Sequence, residues 1–210
     1  MVWLTGVVTL TFEPGQFSPG YHIVPEPEFP GAGEWQQPLF CFDPSGSLAP
    51  DPVTRWGTPL NAEIHPVGSE PWVASFASGG LGGVSTFSAS PSPRHLVALA
   101  DGLAYFVDVE SPGNGAIVVC DQVRQIAPVE NDLLLLVTLI DIVALGPEGP
   151  AWRTTRLVLD DLRVEHALRE RIVCTGDLLD VSRPEFVLDP GTGIQTHGRR
   201  LDSFWPPDAL

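Results

Sequence analysis

The sequence predicts an all-β fold, an antiparallel meander of β-hairpins, and three observations carry that expectation. The stretch HLVALADGLAYFVDV splits two apolar runs at Asp101-Gly102, a dipeptide that takes the positive backbone dihedrals of a two-residue hairpin turn. Turn tokens built from proline and glycine then recur behind apolar runs along the chain. Helical periodicity is confined to one short segment, residues 160–173. A two-sheet β-sandwich is the alternative arrangement of the same strands.

From the N-terminus, MVWLTGVVTLTF alternates Val, Leu and Thr, with no basic leader and no small-residue cleavage site. It is expected to be the first strand of a cytoplasmic protein. Fourteen of the 22 prolines lie at or before Pro93, densest in FEPGQFSPGYHIVPEPEFPGAGEWQQP, where proline excludes helix interiors and central strands. That stretch should be extended, and Phe12, Phe17, Tyr21, Phe29 and Trp35 should pack it onto a core. The composition shift near residue 93 divides a Pro/Gly-rich β segment, 1–93, from β-hairpin repeats, 94–210, expected as one continuous domain.

Just before that shift, ASGGLGGVSTF carries four glycines in five positions, Gly79 to Gly83. A phosphate-binding loop needs G-x-x-x-x-G-K-[ST], and a dinucleotide fold needs G-x-G-x-x-G between strand and helix; neither is present. The glycines are therefore expected to shape the backbone.

Beyond residue 93, DLLLLVTLIDIVALG and RIVCTGDLLDVSRPEFVLD read as further strand pairs. The turn tokens are DPSG at 43–46 behind PLFCF, SPGNG at 111–115, GPEG at 146–149 and DPGTG at 189–193. The later units recur at roughly 35–43 residues, and the first two tokens stand about twice as far apart, which is the signature of a repeat. The segment DDLRVEHALRERIV has helix-like spacing, but the repeat calls for two strands around a turn at Leu168 to Glu170, with Val164, His166 and Leu168 on one face. With these tokens and this spacing, residues 84–193 resemble propeller-type repeat proteins of the WD40 or quinoprotein-like sort, and a chain of 210 residues has room for four or five blades. The Trp-Asp signature and the tryptophan-docking motifs of those families are absent, so no functional residue carries over.

Charge narrows the partners. Twenty-six acids face eleven arginines and no lysine, for a net charge of −15. Such a surface repels nucleic acid and anionic membranes and attracts basic proteins. No window offers eighteen consecutive apolar residues, so no membrane span is expected. A lysine-free chain rich in Arg, Pro, Gly and Ala points to a GC-rich bacterial genome.

Chemical motifs are sparse. Cys41, Cys120 and Cys174 are widely spaced and read as buried free thiols. The five histidines show no H-x-H, H-x-x-x-H or H-E-x-x-H pattern, and the serines no G-x-S-x-G elbow, so neither a metal site nor a serine nucleophile is expected. Asp160-Asp161, and Asp177 with Asp180, are the paired carboxylates that could hold a cation or divide acid and base roles; solvated surface is the plainer reading. Trp152 beside Arg153 and Arg156 has the composition of an interface hot spot, against which packing at a sheet edge is the plainer reading. Trp152, Arg153, Arg156, Asp160 and Asp161 together form the candidate binding surface. The expected activity is non-enzymatic and cofactor-free: binding of a basic partner, as an immunity or antitoxin-type inhibitor would. The competing expectation is a small-molecule- or carbohydrate-directed protein or hydrolase, in which Trp35, Trp56 or Trp72 walls a cleft of convergent carboxylates.

Overall fold

The computed structural model describes residues 10, 12–27, 35–130, 132–178 and 183–201. Most of the expected first strand, together with Phe29 and Asp180, lies outside them. The strands are β1 (Phe12–Glu13), β2 (Tyr21–Pro25), β3 (Leu39–Phe42), β4 (Leu48–Ala49), β5 (Leu60–Pro66), β6 (Trp72–Phe76), β7 (Thr86–Ala89), β8 (His95–Ala100) and β9 (Leu103–Asp108). They continue as β10 (Ile117–Cys120), β11 (Gln125–Val129), β12 (Leu133–Val137), β13 (Ile142–Gly146), β14 (Gly149–Arg153), β15 (Asp160–Ala167), β16 (Ile172–Asp177), β17 (Glu185–Leu188) and β18 (Gln195–His197). Helix among the described residues is confined to a 3-10 turn at Pro112–Asn114 and to Leu201. The protein is all-β.

Four sheets result, ordered β2-β5-β6-β3-β4, β1-β7-β8-β9-β10, β11-β12-β13-β14 and β15-β16-β17-β18. The Asp101-Gly102 hairpin forms as read, with φ of 51° and 82°, and aligns Ala98 with Tyr105 across β8 and β9. The turn tokens occupy one equivalent place: each makes the reversal into the last strand of its sheet, β3 to β4, β9 to β10, β13 to β14 and β17 to β18. The doubled first interval has a topological cause. In the first sheet β5 and β6 follow β4 in the chain but lie between β2 and β3, so that β3 pairs with β6 in parallel. The shift at residue 93 falls between β7 and β8, inside the second sheet.

Packing follows from which strand faces are apolar. Phe42, Ile64, Trp72 and Phe76 of the first sheet meet Phe87, Leu96, Tyr105 and Val107 of the second. The other face of the second sheet, through Val97, Leu99 and Phe106, meets Leu134, Leu136, Val143 and Leu145 of the third. Leu135, Val137 and Ile142 on the far side of the third then meet Val164, Ile172, Cys174 and Phe186 of the fourth. The two middle sheets are buried on both faces, which is why LLLLV and IVALG are continuous apolar runs without alternation. Three inter-sheet cores rule out the two-sheet sandwich, which has one.

Among the described residues no core cluster joins the first sheet to the fourth, and these two sheets stand at the ends of the run of cores. Its ends differ. The outer face of the fourth sheet sets polar side chains around Val173 and Val187, with Thr175 Oγ1 donating to Glu165 Oε1 at 2.7 Å and Arg183 Nε 3.4 Å from Asp177 Oδ1. The outer face of the first is roofed by Trp35 and the segment 52–59. Both are ways to end a stack without leaving an apolar sheet bare to water.

Residues 160–173 form strands, with the turn closed by Leu168 N–H donating to the Arg171 carbonyl at 2.9 Å. The expected face of Val164, His166 and Leu168 does not form. A bulge between Val164 and His166 sets His166 opposite Val173 and leaves its side chain exposed, while Val164 is buried.

The glycine-rich stretch is a strap laid over the β8–β9 turn. Gly79 N–H donates to Ala100 O at 2.9 Å, Gly102 N–H to Val84 O at 2.9 Å and Val84 N–H to Val123 O at 3.0 Å. A Cβ at Gly83 would stand 2.5 Å from Gly102 Cα and 2.7 Å from Val123 O, whereas at Gly82 there is space and only φ of 72° opposes a side chain. Gly83→Ala should therefore lower stability by more than Gly82→Ala, which should cost about 1 kcal/mol. Urea unfolding of the two variants checks this. Equal, small losses would mean that the strap is not packed backbone to backbone.

Candidate functional site

The β14 strand and the segment after it carry the tryptophan and arginines singled out in the sequence. Trp152 is half-buried against the third core; its Nε1 donates to Pro190 O at 2.9 Å, and its ring leaves no room for a side chain at Gly193, whose Cβ would fall 2.6 Å from the ring. The indole thus pins the β17–β18 turn onto the third sheet. Arg153, opposite Val143 in the register, reaches Asp141 with Nε and a terminal nitrogen at 2.8 and 2.7 Å. That hydrogen bond, ahead of the attraction of the Asp141 charge, pushes the Arg153 guanidinium above its ordinary value and keeps it charged.

Arg156 donates to Val158 O and Leu159 O at 2.9 and 2.8 Å. Around these two side chains, Thr154, Thr155, Thr192 and Arg200 complete a cleft of about 310 Å³ with no carboxylate in its lining. Three arginines thus line a concavity on a chain of net charge −15. Arg200, which also donates to Gln195 O at 2.7 Å, joins it from 44 residues downstream of Arg156, and no local pattern announces that meeting.

Asp160 and Asp161 do not share this cleft. They open β15, where Asp161 has φ of 51° and a bulge re-aims the chain. The Asp161 carboxylate takes Arg163 at 3.3 Å and also Arg183, and the hydrogen bond from Arg163 leads the effects that hold it below the usual carboxylate range. Asp160 is the register partner of Asp177, and Arg183 bridges Asp161 to Asp177. Of the two pairs of acids read from sequence, Asp160, Asp161 and Asp177 are thus brought together with arginine already among them, and Asp180 lies outside the described residues. Among the described residues no group of three or more His, Cys, Asp and Glu side chains could hold a metal ion.

The sequence reasoning overlooked two other juxtapositions. His22 and His65 are cross-strand partners with ring centroids 6.1 Å apart, and His65 Nε2 lies 3.2 Å from Glu63 Oε1. The second is a cleft on the outer face of the first sheet, walled by Trp35 over Val73 and Ser75. Of the three tryptophans expected to wall a cleft of convergent carboxylates, Trp35 lines this one, whose lining holds no carboxylate. Trp72 is buried and donates to Val109 O at 3.0 Å, and Trp56 is exposed beneath Arg55, 4.6 Å from the ring centroid. Cys41, Cys120 and Cys174 are buried free thiols, and burial pushes Cys120 and Cys174 up to about 12, which keeps them protonated and unreactive.

No protein-family model matches the chain, and no curated protein matches it. Among solved structures, the crystal structure of the N-terminal domain of Nup159 is similar at 14% identity and a TM-score of 0.36, over 94% of this chain and 55% of that one. The chain spans about half the length of that domain.

Proposed function

We propose that the protein is a non-enzymatic binding scaffold that docks a basic protein partner on its acidic first half. The observation that carries this reading is how charge divides between the sheets. Residues 1–123, which supply the first two sheets, hold twelve acids and two arginines, while residues 124–210 hold fourteen acids and nine arginines. Both arginines of the first half are engaged. Arg94 pairs with Asp108 and Glu110, and Arg55 lies over Trp56. Asp51, Glu70, Glu110 and Asp121 are exposed there. A surface of one sign on rigid, fully cored sheets steers an oppositely charged partner and raises its association rate. An inhibitor that covers a basic toxin is the kind of role that fits.

The test is a matched pair of variants used as bait for the partner. Neutralising Asp51, Glu70, Glu110 and Asp121 to their amides should abolish capture of a basic partner. Neutralising Glu130, Glu148, Glu170 and Glu185, four exposed acids of the second half, should leave it. Equal effects of the two sets would defeat the assignment to the first half.

A further inference from the structure

Strand β6 sends Trp72, Ala74 and Phe76 into the first core, so Val73 and Ser75 face the outer side of the first sheet. Ser75 is 2% exposed, and its Oγ is the one buried side-chain oxygen or nitrogen among the described residues with no hydrogen-bond partner. Such an orphan is costly, since the hydroxyl has lost water and gained nothing. Ser75 lines a cleft of about 190 Å³ walled by Trp35, Pro52, Pro59 and Val73, with Asn61, its cross-strand partner, beside it.

We propose that this cleft is a binding site for a neutral, single-ring aromatic compound that carries one hydroxyl, a simple phenol, with Ser75 as the hydrogen-bonding partner of that hydroxyl. Three features select this class. Every lining residue is uncharged, so on a chain of net charge −15 neither a cation nor an anion finds a counter-charge in the cleft. The volume suits one ring with a small substituent, since an apolar cavity of about 150 Å³ is enough for benzene. Trp35 and two proline rings are flat apolar walls that match an aromatic ring, and of the polar side chains in the lining, Thr54, Thr58, Asn61 and Ser75, the Ser75 hydroxyl is the one that is buried and unpartnered, which suits a ligand with a single polar group. Ser75 can donate or accept, so it can complete a hydrogen bond with a phenol in either sense. The site lies apart from the arginine-lined cleft and does not depend on the proposed docking of a basic partner.

The experiment is titration of the intact chain with p-cresol and with toluene, followed by calorimetry and by indole fluorescence. The wild type should bind p-cresol saturably and about tenfold more tightly than toluene, the worth of one hydrogen bond to a buried, otherwise unpaired group. Ser75→Ala should bind the two equally and melt no lower than the wild type, because it removes an unpaired hydroxyl. Thr58→Trp, at an exposed position on the rim, should block both ligands without loss of melting temperature, and it serves as the blocking variant if Ser75→Ala folds poorly. Failure of the wild type to saturate with p-cresol would overturn the proposal, as would a preference for p-cresol that survives in Ser75→Ala or binding undiminished in Thr58→Trp.

Discussion

Phe76→Ala should remove about 4 kcal/mol from the unfolding free energy, the largest single-site loss expected in the first core. The ring has no exposed surface; it stacks on Phe42 with centroids 4.8 Å apart and an interplanar angle of 12°, and meets Tyr105 at 5.2 Å and Phe87 at 6.2 Å across the gap between sheets. Truncation loses the transfer free energy of the ring and leaves a void between two sheets whose strands are pinned by their own ladders and cannot close on it. A domain of ordinary stability, about 5–15 kcal/mol, would lose a quarter or more of it. Val67→Ala, at a side chain 79% exposed, should change nothing measurable and is the control. Urea denaturation of the two variants decides. A loss below about 1 kcal/mol for Phe76→Ala would mean that the first two sheets are not packed face to face there.

The second large effect is expected at Asp141. In the sequence this residue stands as a lone charge between the apolar runs LLLLVTLI and IVALG, yet it organises the β12–β13 turn. It is 7% exposed, its carboxylate accepts from Thr138 Oγ1 and from Arg153, and its carbonyl accepts from Thr138 N–H at 2.9 Å. Asp141→Ala removes the carboxylate acceptor of the buried Thr138 hydroxyl, which keeps its longer bond to the Asp141 carbonyl at 3.1 Å, and it strands the guanidinium, so it should cost about 2 kcal/mol. Arg153 is more than half exposed, so its share is screened by water. Asp141→Asn, which can still accept from Thr138, should cost only about 1 kcal/mol. Equal melting of the alanine and asparagine variants would show that the Thr138 hydrogen bond contributes nothing.

The sequence carried the fold further than it carried the site, and the reason is locality. A hairpin such as β8–β9 is written within fourteen residues, from His95 to Asp108, with its turn dipeptide in the middle. The turn tokens are likewise local, and their common place at the last strand of each sheet is the physical basis of the period. The insertion of β5 and β6 between β2 and β3 is non-local, and the sequence recorded it only as a doubled interval. The bulge that exposes His166 escaped the reading because one extra residue reverses the alternation without changing composition.

Sites depend on meetings between distant residues. Arg153 and Arg156 were found together because they are neighbours in sequence, but Arg200 completes their cleft from the far end of the fourth sheet, and Asp161, close in sequence, turns away to Arg163 and Arg183. Ser75 was one serine in a serine-rich stretch. Only the face on which β6 presents it, beneath Trp35, separates it from Ser85 or Ser88. The glycine strap was readable because the missing lysine removes the phosphate reading without any knowledge of the fold.

The central claim, docking of a basic partner by an acidic surface, is tested most directly by how capture on the immobilised wild-type chain depends on salt. Between about 50 and 500 mM salt the screening length shrinks from more than 10 Å to less than 5 Å. A basic protein should be retained at the low end and released progressively as salt rises, with its association rate falling more steeply than its dissociation rate climbs. Retention that is indifferent to salt, or a retained partner that is itself acidic, would contradict the account.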